Sequence, residues 1–173
     1  FGLGCTTCHS AEKHKAVNIT KDGCMSCHHS PENTKCVRCH SQQSALFTAE
    51  NLPVKLAKAE PSVKSGKVEC VNCHDLSKKQ TVESIGDACV GCHDKAYVDI
   101  LKGWKQEAAE AQKKAKDLLE SAGRKLNDAR KERWDVGKAA GILDQAKKAY
   151  EFVVRANGVH NPDLAGAILE KVA

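Results

Sequence analysis

Aromatic side chains are scarce in this chain: three Phe, two Trp and two Tyr among 173 residues. Ordinary cores draw much of their buried area from such rings, so either the core is poor or something other than side chains fills it. Methionine occurs once and proline four times. No run approaches the roughly 18 apolar residues that a membrane helix needs, and 28% of the residues are charged, which argues against anchoring through a span of this sequence. No basic and apolar leader stands at the start, so the chain reads as soluble and already processed. Strand-like alternation of useful length is missing too, and the pattern predicts a mostly α protein with much irregular structure and no significant sheet.

What the sequence has in abundance is cysteine in one pattern. All ten cysteines fall in five copies of Cys-x-x-Cys-His: Cys5/Cys8/His9, Cys24/Cys27/His28, Cys36/Cys39/His40, Cys70/Cys73/His74 and Cys89/Cys92/His93. Two thiols three positions apart can bond the two vinyl edges of one porphyrin, and the imidazole that follows then falls beneath the iron as an axial ligand. Structural zinc would use the pairs two at a time, but five is odd, and a histidine directly after every second cysteine is not zinc-finger spacing. Iron–sulfur clusters want three or four closely spaced cysteines, and a thioredoxin-like redox pair wants a βαβ context; neither is present. The motifs therefore predict five covalently bound c-type haems, with His9, His28, His40, His74 and His93 as proximal ligands. Resemblance to c-type cytochromes in general implies attachment outside the cytoplasm, hence a periplasmic or extracellular location.

The formal charge of +5 would ordinarily point to an anionic partner. Each ferric haem adds about one positive charge at iron and about two negative propionates, so the total becomes roughly 0 when oxidised and roughly −5 when reduced. Nucleic-acid binding loses its support. Residues 1–94 carry eleven Lys/Arg against ten Asp/Glu, and residues 95–173 sixteen against twelve, so the haem-bearing part becomes acidic and the remainder stays basic.

Two regions are expected: a pentahaem module over 1–94, in which the haems are the core, and a helical region over 95–173. In the first, short helical turns in irregular backbone carry the motifs, with a longer loop containing Pro53 and Pro61 between motifs three and four. In the second, Trp104, Ala108, Ala111, Ala115, Leu118, Ala122, Leu126 and Ala129 recur at helical steps. After a break near Asp135-Val136-Gly137, the series resumes with Ala139, Leu143, Ala146, Tyr150 and Val153. The periodicity predicts an antiparallel hairpin over roughly 96–134 and 138–156, with Gly123 as a place for a bend. Asn157-Gly158 suits a left-handed cap, and Asn161 with Pro162 starts a last short helix. The hairpin serves either as a cover on the haem layer or as a dimer interface.

Five histidines are committed by the motifs, which leaves His14, His29 and His160 as candidate distal ligands. Three cannot serve five irons, so at least two haems take a sixth ligand from elsewhere or have none. His160 sits between a helix cap and a proline-started helix, a rigid seat for an imidazole. Met25 lies inside a motif at its own porphyrin edge and is a poor candidate, whereas the α-amine of Phe1 is a further candidate ligand if residue 1 is the mature terminus.

Cys24-Met25-Ser26-Cys27-His28-His29 followed by Cys36-Val37-Arg38-Cys39-His40 resembles the Cys-x-x-Cys-His-His element of the class III, low-potential multihaem cytochromes. That resemblance implies His29 on the third haem and His14 on the second. Gly158-Val159-His160-Asn161-Pro162 behind a long helical pair resembles the C-terminal ligand segment of cytochromes related to the pentahaem nitrite reductases, where the histidine is a distal ligand and long helices pack subunits together. The chain is shorter than those reductases and lacks their catalytic-domain residues, so the likeness implies architecture and not nitrite chemistry. It leaves His160 open between the first, fourth and fifth haems.

Three functions are compatible with this. An electron carrier passing electrons between redox partners is the leading expectation. The rivals are a reductase with an open-coordination haem acting on nitrite, hydroxylamine or peroxide, and a subunit of a larger cytochrome assembly or filament that shares ligands between chains. Arg38 and Lys35, or Tyr97 and Trp104, are the candidates for a catalytic distal pocket.

Overall fold

The computed structural model describes Ser10 and residues 36–172. Motifs one and two, together with His14, His29, Met25, Lys35 and Phe1, lie outside the described residues. The chain divides into two compact units, 1–35 and 36–173. Motifs three to five therefore share a unit with the helical hairpin, and the division falls earlier than the 94/95 boundary read from composition.

Helix is the only regular structure among the described residues, as the patterning predicts. The elements are a 3-10 turn at Cys36–Arg38, α1 (Ser41–Thr48), α2 (Cys70–Cys73), α3 (Val82–Val90), α4 (Ala96–Lys131), α5 (Gly137–Ala156), a 3-10 turn at Gly158–His160, and α6 (Pro162–Val172). α4 has 36 residues and is thus about 54 Å long. It runs unbroken through Gly123, with ion pairs such as Lys113–Asp117 at 2.7 Å on its exposed face. It stops three residues before the predicted end because Arg133 takes a left-handed φ of 63° and turns the chain toward α5.

The core lies at the base of the hairpin. Ala115 of α4, Ala149, Phe152, Val153 and Ala156 of α5, and Leu164, Ala165, Ile168 and Leu169 of α6 form one buried cluster with Leu46 of α1. Burial of a side chain such as Ile168 or Val153 contributes about 1.5–3 kcal/mol. The seam on α4 departs from the predicted one in its middle: Leu119 is buried, whereas Leu118 and Ala122 are exposed. Steps of three and four are both helical, and the contact with α5 and α6 selects the four-residue step from Ala115. Between residues 120 and 148 no side chain is buried, so among the described residues the distal half of the hairpin packs only on itself.

α1 was not legible in the sequence. Its apolar residues Ala45, Leu46 and Phe47 are consecutive, too few to show a helical period, and Leu46 becomes fully buried through tertiary contact. By contrast, the stretch from residue 49 to 100 buries only Ser62 and Gly86. That stretch holds motifs four and five and has almost no side-chain core of its own.

Candidate functional site

All three described motifs fold into the same turn. The backbone N–H of His40 donates to the carbonyl of Cys36, His74 to Cys70 and His93 to Cys89, each at 2.9 Å. One helical turn thus separates the first cysteine from the histidine, which places both on one face. Different elements deliver it. Motif three is a 3-10 turn leading into α1, motif four is α2 itself, and motif five is the end of α3, where Gly91 caps the helix. α3 starts at Thr81, whose hydroxyl accepts from the N–H of Ser84 at 3.2 Å. It packs on α4 where Gly86 meets Val98; a Cβ on Gly86 would lie 3.3 Å from Val98 Cγ1.

The motifs are neighbours. The Cys70 thiol is raised above its ordinary pKa first by burial and then by Cys36, to which it is hydrogen-bonded. Burial also pushes the Cys73 thiol up, with Cys89 and Cys92 adding to it and Lys64 opposing. Motif four therefore lies near motif three at its first cysteine and near motif five at its second. None of the six described cysteines is in a disulfide. Lys64 stands at the junction of motifs four and five, its ammonium 4.3 Å from the Trp104 ring centre, and burial lowers its pKa against the opposing pull of Cys73 and Cys89.

His74 and His160 come together from opposite parts of the unit, with ring centres 6.1 Å apart and planes inclined by 31°. The proton position follows in both rings. The Gln80 amide donates through Nε2 to the carbonyls of Asp75 (2.6 Å) and Lys78 (2.9 Å), so its Oε1 faces His74 and accepts from Nδ1 at 2.9 Å. His160 Nδ1 donates to the carbonyls of Ala156 (2.8 Å) and Asn157 (3.0 Å). Each ring is left with Nε2 as the nitrogen carrying a lone pair. Burial, helped by His74 and Lys64 and opposed by the two carbonyls, lowers the pKa of His160 and favours the neutral imidazole.

The seat of His160 is built by its neighbours. Asn161, 4% exposed, donates its amide N–H groups to the carbonyls of Leu46 (3.1 Å) and Glu60 (3.0 Å) and caps α6 by accepting from the N–H of Leu164 at 3.3 Å. Gly158 serves differently from expectation. Asn157 takes the positive φ of 57°, whereas Gly158 permits close approach: a Cβ there would lie 3.2 Å from Ala165 Cβ and 3.4 Å from Ala108 Cβ.

The other predicted residues have plainer surroundings. Tyr97 stacks on His93 at 3.9 Å and 15°, Trp104 lies under Lys64, and Arg38 is exposed. Gln80 and Lys64 escape sequence reading because an amide six residues beyond a histidine, or a lysine in a proline-flanked loop, carries no local signature.

Among the described residues no group of three or more His, Cys, Asp or Glu converges on a position for a metal ion. A macrocycle that brings four nitrogens of its own asks for less, namely one or two imidazoles and two thiols. That is the donor set at motif four. Apolar surface suited to a flat hydrophobic group is present there as well: Val37 and Val71 inside motifs three and four, and Val63, Val68 and Leu76 in the surrounding loops, are all exposed. No protein-family model, curated protein or solved structure matches the chain.

Proposed function

We propose that the protein is an electron carrier holding five covalently bound c-type haems and exchanging electrons with redox partners outside the cytoplasm. The observation that carries this reading is that the three described motifs share one turn and lie close together, Cys70 of motif four beside Cys36 of motif three and its Cys73 near Cys89 of motif five. Groups attached to cysteines so placed are neighbours, which is the arrangement that electron transfer needs. When bound, each haem supplies an iron that cycles between ferric and ferrous states. The chain's part is to tether through Cys36, Cys39, Cys70, Cys73, Cys89 and Cys92, and through Cys5, Cys8, Cys24 and Cys27 in the preceding motifs. It ligates the irons through the motif histidines and fixes the imidazole tautomer, as Gln80 does for His74. The thin side-chain core of residues 49–100 fits large apolar groups as the filling of that region.

A second reading, a subunit of a larger cytochrome assembly, draws on the far half of the hairpin. There Trp134 and Ile142 are 69% and 60% exposed, and among the described residues no other element covers them.

The test is the chain matured in a host that attaches c-type haem. Intact mass should exceed the polypeptide by five haems, and a potentiometric titration should show reversible reduction with rapid electron exchange to small redox mediators. Fewer than five haems, or turnover of nitrite or hydroxylamine at rates typical of enzymes, would overturn the electron-carrier reading.

A further inference from the structure

We propose that Tyr97 is the positioning residue of His93, its ring fixing the plane of the imidazole that serves the iron at motif five. This rests on the haem reading above and goes beyond it, because it concerns how the imidazole is aimed.

Geometry is the first argument. The rings of His93 and Tyr97 have centres 3.9 Å apart and planes within 15° of parallel. Such a stack covers one face of the imidazole and leaves its edge, where both nitrogens lie, open to a metal. Rotation of His93 about its Cβ–Cγ bond would drive the ring into Tyr97. Rigidity is the second. His93 closes the turn of motif five, its N–H donating to the carbonyl of Cys89 at 2.9 Å. Tyr97 stands in the first turn of α4, where the N–H of Ala96 donates to the Asp94 carboxylate at 2.8 Å and that of Tyr97 to the Asp94 carbonyl at 3.2 Å. One residue on, Val98 packs against Gly86 of α3. The corner between α3 and α4 therefore locks the two rings to one another, as a precisely aimed group requires. The third argument is a contrast between motifs. At motif four Gln80 accepts from His74 Nδ1 at 2.9 Å and so sets that ring. Among the described residues no group hydrogen-bonds the ring of His93, and the stack is what orients it.

The consequence is orientation, not ligation. An axial imidazole can turn about its bond to iron, and the angle of its plane to the porphyrin nitrogens sets the splitting of the iron d orbitals. Groups behind a ligand commonly hold that angle. A ring against the face of His93 also stands on that ligand's own side of the haem, so Tyr97 does not line the opposite, distal side of motif five.

The experiment uses the full haem-loaded chain, with haems counted by mass spectrometry in the parent, Tyr97→Leu and Tyr97→Phe. A parent with fewer than five overturns the electron-carrier reading itself. Leucine keeps apolar bulk but removes the flat ring, so electron paramagnetic resonance of Tyr97→Leu should show one ferric signal with altered g-values, and redox titration one shifted potential. Phenylalanine keeps the ring, and Tyr97→Phe should match the parent in both. The affected signal should differ from the one that Gln80→Leu moves, since that variant acts on His74. Spectra of Tyr97→Leu identical to those of the parent overturn the positioning role while leaving the carrier reading intact. So do loss of a haem from Tyr97→Leu, which assigns Tyr97 to attachment, and a Tyr97→Phe that behaves like Tyr97→Leu.

Discussion

Replacing Asn161 separates two roles that its position combines. The side chain caps α6 through Oδ1 and clamps α1 and the Glu60 loop through its two N–H donations. Asn161→Ala removes both. Loss of the cap costs about 0.5–2 kcal/mol, and a buried Leu46 carbonyl left without a donor about 1–3 kcal/mol. A total near 3 kcal/mol follows, with the more exposed Glu60 carbonyl adding little. Asn161→Asp discriminates between the roles. Aspartate is as good a cap as asparagine, and its charge at the helix N-terminus is favourable by about 0.3–1 kcal/mol; if capping were the whole role, Asn161→Asp would match or exceed the parent. The clamp predicts the opposite, because a carboxylate would face two carbonyl oxygens in a site that is 4% exposed, at a cost no smaller than that of the alanine variant. Chemical unfolding of the haem-loaded chain at pH 7 gives the answer in the transition midpoints. A midpoint for Asn161→Asp at or above that of the parent would refute the clamp.

Gly158→Ala should destabilise by about 1–3 kcal/mol through crowding against Ala165 and Ala108, and a gain in stability would show that flexibility, not space, governs the site. Gln80→Leu deprives His74 Nδ1 of its acceptor, making the imidazole a weaker donor to ferric iron; one reduction potential should rise while the others hold, as checked by spectroelectrochemistry. Lys64→Met removes a cation at the junction of motifs four and five, so ferrous iron loses relative stabilisation there. The potentials of those two haems should fall by on the order of tens of millivolts, with solvent screening reducing the effect at this half-buried site. Protonation of Asp75 acts through the turn that Gln80 binds. Its pKa is lowered chiefly by the Ser77 hydroxyl and N–H, so its stabilising effect is present above 3.8 and is lost as pH falls through the depressed folded value. A circular-dichroism titration should accordingly show no unfolding step from this turn at pH 5–7.

Features set by local chemistry were legible in the sequence. Cys-x-x-Cys-His was legible as a unit because its five residues span one helical turn, and the three described motifs share that turn to within the same hydrogen bond. The hairpin was legible because α4 and α5 carry a helical period over many residues, and Asn161-Pro162 was legible as a helix start because cap and proline act within one turn. Reading failed where two distant segments decide the outcome. Leu119 displaces Leu118 only because α5 and α6 lie on one side of α4. Gly158 looks like a residue chosen for its φ, yet its neighbours Ala108 and Ala165 show that it is chosen for lack of a Cβ. No spacing rule places His160 beside His74, since the approach depends on α1, α5 and α6 meeting at Leu46, Ala156 and Asn161.

That meeting point gives the helical region a role beyond covering a surface. Asn161 belongs at once to the buried core and to the seat of His160, and Gly158 allows α6 to close on α4 two residues before the imidazole. Loss of core packing at Ala165 or Leu46 would therefore move His160 relative to His74 before it unfolded anything else. The hairpin base is in this sense a lever arm whose rigidity is measured at the ring pair, which predicts that core variants such as Leu46→Ala will lower stability by about 2–5 kcal/mol. On the haem reading they should also alter the spectroscopic signal of the iron held at motif four, with the remaining signals unchanged. A Leu46→Ala protein that loses this stability yet keeps that signal unaltered would show that packing and ligation are independent, and that His160 is held by the end of α5 alone.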